Sequence, residues 1–141
     1  MSKLWKVWLV LTISIGLGCG SKDTEELYKQ DGKIMLSKVS VEEAAKLLKE
    51  GSVVMVDANG TITRKFRGVV PGARLLSHYR KYDEKELQAS KQDTLVFYCG
   101  SEKCSSAPKA AQIASAKGYQ VKVMDAGIKG WIRAGHEVAK L

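Results

Sequence analysis

The chain has 141 residues, 45% of them apolar and 27% charged, a balance that suits one folded domain and excludes a disordered polymer. Two prolines exclude a proline-rich linker, and three cysteines are too few for a disulfide-built mini-protein. The formal charge of +8 is basic, but such a charge alone does not define a nucleic-acid binder.

The N-terminal residues read as an address. Lys3 and Lys6 precede an uncharged apolar run, Val7–Leu17, and the small residues Gly18-Cys19-Gly20-Ser21 follow. The run is short against the roughly 20 apolar residues of a spanning helix. This order predicts a secretory signal over 1–18. Cys19 after Leu17-Gly18 resembles the lipobox of bacterial lipoproteins, although Gly16 stands where that pattern prefers leucine. The resemblance implies lipidation at Cys19, export to the cell envelope and attachment to a membrane through the lipid. An ordinary signal peptide cut nearby and an uncleaved tether are the rival readings. Residues 19–36, polar and of mixed charge, are expected to be a linker with one helical turn at most.

A domain over 37–141 follows. Ser40–Glu50 predicts a helix, with Ser40 and Glu43 as a capping box and Val41, Ala44, Ala45 and Leu48 on one face. Val53–Val56 is an apolar run with the look of a buried parallel strand, ending at Asp57, and Asn59-Gly60 turns the chain. Val69–Ala73 reads as a short strand or turn and Asp83–Ser90 as a short helix with an acidic first turn. Leu95–Tyr98 is a second buried strand ending at Cys99. An alanine-rich helix over Ser106–Lys117, a third strand over Tyr119–Met124 and a short helix over Gly130–Ala134 complete the chain. Strands alternating with helices predict an α/β domain with a mostly parallel central sheet flanked by helices. Sites in such sheets lie beyond the carboxyl ends of the strands, which points to Asp57, Cys99 and Asp125-Ala126-Gly127.

Cys99 is the residue best placed for chemistry. It ends an apolar strand, and Gly100, Ser101, Glu102, Lys103, Cys104 and Ser105 separate it from a helix start. Backbone N–H groups of such a loop, the helix terminus and Lys103 all favour a thiolate, the nucleophilic form. Ser101 and Ser105 add hydroxyl donors. The competing reading is an inert packed cysteine, since free cysteines are commonly buried. The order of strand end, polar loop and helix start argues against it.

The segments LVFYCGSEKCSSAPKAA and GYQVKVMDAGIKGWIRAGHEV resemble the second half of a rhodanese domain, and VVMVDAN and GVVPGA resemble its first half. The likeness spans about 36–141. It implies a single rhodanese-like domain and a sulfurtransferase activity. In that family the cysteine takes sulfane sulfur from a small sulfur-containing anion such as thiosulfate, becomes a persulfide and passes the sulfur to a thiophilic acceptor. It casts Cys99 as that cysteine and Gly100 to Cys104 as the backbone donors around the persulfide. It implies a monomer and no cofactor, and names no protein acceptor. The chain departs from the family at Asn59, where arginine is usual, at Val69, where histidine is usual, and at Ala126, where glycine is usual. The loop also lacks the common arginine and reads Glu102-Lys103-Cys104-Ser105.

Cys104 has two readings of equal weight. It resolves a persulfide or sulfenic acid on Cys99, or it is a small residue facing the first turn of the helix. A disulfide between the two requires a curved loop. Thiol–disulfide redox work through Cys99 and Cys104, and a catalytically weak binding module, are therefore the alternatives to sulfur transfer. Neither cysteine is followed by arginine six residues on, which disfavours a cysteine phosphatase. Two cysteines without a nearby histidine do not make a closed zinc site, and no metal is expected. His78 and His136 are isolated in sequence from the cysteine, and Trp131 is expected in the core. Asp57 shapes the pocket or makes a turn bond. Arg64-Lys65-Arg67 and Arg80-Lys81 read as a solvated face or a contact for anionic headgroups, since nucleic acid would be an odd ligand for an exported chain.

Overall fold

A computed structural model describes residues 29–30 and 33–141. The expected signal over 1–18, the lipidation site Cys19 and most of the linker lie outside the described residues. Among the described residues, no helix is long and apolar enough to cross a membrane.

The elements are β1 (Lys29–Gln30), β2 (Lys33–Ile34), β3 (Ser37–Lys38), α1 (Val41–Lys49), β4 (Val53–Asp57), α2 (Thr61–Arg67), β5 (Arg74–Leu75), a 3-10 turn at Glu84–Leu87, β6 (Thr94–Tyr98), α3 (Ser106–Ala116), β7 (Gln120–Val123) and α4 (Gly127–Arg133). β1 and β2 pair antiparallel within the expected linker. The other five strands form one sheet in the order β3-β7-β6-β4-β5, every neighbouring pair parallel. The α/β expectation is met.

Alternation along the central strands explains why both faces are covered. Leu95, Phe97 and Cys99 look toward α3, whose buried side is Ala107, Ala110, Ala111 and Ala114. Val96 and Tyr98 look the other way, toward a layer that holds Ala44 of α1 and Ile128 and Trp131 of α4. Four alanines on one face let α3 sit close to the sheet. With both faces buried, β6 reads as an unbroken apolar run rather than an alternating one. Trp131 is in the core, as expected, and its indole N–H donates to the Glu137 carbonyl at 2.8 Å.

Several boundaries differ from the sequence reading. Asp83–Ser90 is a single 3-10 turn over Glu84–Leu87, capped by Asp83 and Glu86. Val69–Ala73 contributes one antiparallel bridge, Val69 to Ala139, and the strand comes later at Arg74–Leu75. Gly68 makes that bridge feasible: at φ +79°, a Cβ there would lie 2.7 Å from the Ala139 carbonyl oxygen. The last helix begins at Gly127, not Gly130. The largest omission is α2, which the sequence reading passes over after the Asn59-Gly60 turn.

Candidate functional site

Parallel strands bring their carboxyl ends to one edge of the sheet. Asp57, the last residue of β4, is level with Tyr98, the last residue of β6, so Cys99 begins its loop directly beside the Asp57 corner. Cys99 is 2% exposed. Its carbonyl accepts the Ile128 N–H at 2.8 Å, and the Gly100 carbonyl accepts the Lys129 N–H at 3.1 Å. The start of α4 therefore holds the start of the loop from below.

Gly127 makes that contact feasible. Its φ is +60°, and a Cβ built there would lie 2.5 Å from the Cys99 carbonyl oxygen and 2.7 Å from the Ser101 nitrogen. No other residue fits without moving the loop. Asn59 flanks the other side: its Oδ1 lies 3.7 Å from where a Gly100 Cβ would be.

The loop curls back on itself. The Cys104 N–H donates to the Ser101 carbonyl at 2.9 Å. Cys99 and Cys104 form a disulfide, with their Cα atoms 6.3 Å apart, inside the roughly 4.4–6.8 Å that such a bond requires. Cys99 Sγ also lies 3.4 Å from the Cys104 carbonyl oxygen. The curved-loop alternative is the one adopted. Of the expected backbone donors Gly100 to Cys104, the Cys104 N–H is engaged in the loop's own turn.

The loop's outer residues face solvent. Glu102 and Lys103 are exposed and Ser101 is half-buried. With Ala126, Lys129 and Arg133 they line a depression of about 200 Å³. Three cations and one carboxylate give this rim a positive balance, suited to a small anion. Lys129 and Arg133 were not singled out by the sequence reading; their place on a helix packed under the loop is a tertiary fact. Ser105 precedes α3 and accepts from Lys109 Nζ at 3.1 Å.

Of the two readings of Asp57, the turn bond is the one the structure shows. Asp57 is fully buried, and its Oδ1 accepts the Asn59 N–H at 2.7 Å and Arg64 Nε at 3.1 Å. Arg64 Nη2 donates to the carbonyls of Asp57 at 2.9 Å and Leu76 at 2.8 Å. Arg64 is thus buried and committed to structure, which corrects its reading as part of a solvated basic face. Lys65 and Arg67 remain exposed. Burial and the neighbouring Asp57 charge push the Tyr98 hydroxyl far above the usual tyrosine range. That hydroxyl accepts the Val70 N–H at 2.9 Å and is a structural group. His78 stacks on Tyr79 and His136 leans on Trp131, so neither histidine's ring partner belongs to the loop.

The model of the rhodanese-like domain matches residues 40–134. The chain belongs to the rhodanese-like domain family. Solved structures agree on the fold. A Bacillus halodurans protein is 24% identical with a TM-score of 0.65, covering 74% of this chain and 77% of that one. A rhodanese-like domain protein of Staphylococcus aureus is 18% identical with a TM-score of 0.60, covering 74% and 99%. A Rhodopseudomonas palustris protein of unknown function, described as a possible tyrosine phosphatase, is 23% identical with a TM-score of 0.61, covering 74% and 85%. No curated protein matches the chain.

Proposed function

We propose that the protein is a sulfurtransferase that carries sulfane sulfur on Cys99. The observation that carries this reading is the position of Cys99, at the carboxyl end of the middle strand, in a short loop closed by α4 on one side and opening into α3 on the other. The reduced thiolate attacks the outer sulfur of a thiosulfate-like anion. A Cys99 persulfide forms, sulfite leaves with the electron pair of the broken S–S bond, and the terminal sulfur passes to a thiophilic acceptor. Lys103, Lys129 and Arg133 supply the positive rim that attracts the donor. The phosphatase reading of one structural neighbour lacks support here, since Ser105 stands where such chemistry needs arginine.

The test is the intact mass of the reduced chain after exposure to thiosulfate, with Cys99→Ser beside it. A gain of one sulfur atom by the parent, absent from the variant, supports the reading. No gain by either refutes it and favours the binding-module alternative. The disulfide favours thiol–disulfide exchange as a second reading.

The N-terminal pattern supports a further proposal, that Cys19 carries a lipid and the domain works at a membrane of the cell envelope. Cys19→Ala should move the protein from the membrane fraction to the soluble fraction; an unchanged distribution refutes it.

A further inference from the structure

We infer that Cys104 is a second reacting thiol, and that the domain reduces sulfane sulfur to free sulfide as well as transferring it. The inference rests on the Cys99 persulfide proposed above. The geometry behind it is the pairing of the two sulfurs across a loop that already bends, through the Cys104 N–H to Ser101 carbonyl bond, to bring them together.

In a Cys99 persulfide, the inner sulfur is Sγ of Cys99 and the outer sulfur is the transferred atom. The Sγ atom is the one that Cys104 reaches in the disulfide. The Cys104 thiolate attacks it, the Cys99–Cys104 bond forms, and the bond to the outer sulfur breaks. The outer sulfur leaves as hydrosulfide with the electron pair and picks up a proton as hydrogen sulfide. Hydrogen sulfide is more acidic than a cysteine thiol, so hydrosulfide is the better leaving group and the exchange runs in that direction. The sulfane sulfur gains two electrons and the two cysteines lose two. Attack on the outer sulfur would merely move the persulfide to Cys104.

The disulfide stops further sulfur loading, because Cys99 no longer offers a thiolate. An external dithiol must reopen it, itself becoming a disulfide. The domain therefore sits between a reaction that supplies sulfane sulfur and a dithiol reductant that restores the enzyme. Cys104 is half-buried, and Glu102 and Lys103 before it are exposed, so the reductant meets the ring at its outer rim.

The experiment uses the full chain carrying Cys19→Ser, which leaves Cys99 and Cys104 as its only thiols. The protein is reduced, freed of reductant and given thiosulfate. Sulfite, sulfide and intact mass are followed over one turnover, for this chain and for the same chain with Cys104→Ser, with Cys104→Ala as a second variant. The expected result is sulfite from all three. Sulfide in equal amount, with loss of two hydrogens from the protein, is expected only where Cys104 is present. The variants instead accumulate the persulfide. If the Cys104-containing chain keeps its persulfide as long as the variants do and releases no sulfide, the inference is overturned while sulfur loading stands. If none of the three releases sulfite or gains sulfur, the reading beneath it fails as well.

Discussion

Two neighbouring strands end in different ways. β4 ends at Asp57, and the corner around it is closed by a buried ion pair whose donors and acceptors are matched to backbone. β6 runs into Cys99, and the loop beyond it is closed by a bond that chemistry can open. One end is committed to holding strands and helix together; the other ends in a cysteine pair that reduction would part. A buried cation is no evidence of anion recognition when it is already bonded to a carboxylate and to backbone carbonyls, as Arg64 is through Nε and Nη2. The cations available to a ligand are the exposed ones on the loop and on α4.

The contrast can be broken or sharpened by substitution. The largest effect belongs to Cys99→Ser, which should abolish sulfur loading by intact mass while shifting the urea midpoint, measured against the reduced parent, less than loss of the buried ion pair does. Arg64→Met should act oppositely. It leaves Asp57 buried without its partner and should cost about 3–5 kcal/mol in urea unfolding. Loading per folded molecule should hold. A raised KM for thiosulfate at unchanged stability would show instead that the Asp57 corner belongs to the site.

Gly127→Ala lies between these extremes, because it forces both a backbone strain of about 1–3 kcal/mol and a collision with the Cys99 carbonyl. Stability and loading rate should fall together. Lys103→Ala combined with Lys129→Ala should raise KM for thiosulfate several-fold with little change in stability, an effect that added salt should reproduce in the parent.

The smallest effect is at the outer edge of the Asp57 corner. Burial alone would raise the Glu86 carboxyl, but the N–H groups of Ser77 and Asp83 and the Ser77 hydroxyl outweigh it and hold it below its ordinary value of 4.5. A depressed folded value means that the stabilisation is fully present above the unfolded value and is lost as pH falls through the folded one. Glu86→Gln should therefore lower stability slightly at neutral pH, where the carboxylate's contribution is fully present, and flatten the fall on the acid side.

These regions also differ in how far the sequence discloses them. The cysteine end is legible because its signals are local: an apolar strand, six loop residues and an alanine-rich helix lie in one stretch. Whether the two thiols pair is not legible, because it depends on loop curvature, which the start of α4 helps to set from below. The arginine at the Asp57 corner was hidden for a different reason. α2 has no side-chain cap at Gly60, and its large apolar residues Ile62 and Phe66 face outward, 73% and 82% exposed. A helix whose one buried residue is an arginine has none of the usual periodic signature. Arg64, Lys65 and Arg67 then read as one basic cluster, although only the first turns inward. The strand β3 is too short, at two residues, to leave a pattern.

The ring closed by Cys99 and Cys104 spans a sequence separation of only five residues. Tying so short a stretch removes little conformational entropy from the unfolded chain, about 2 kcal/mol by the loop-length relation. The domain's folding therefore leans on this bond less than it would on one that closed a long loop. Two electrons can enter or leave at the mouth of the sheet while the parallel core beneath keeps its shape.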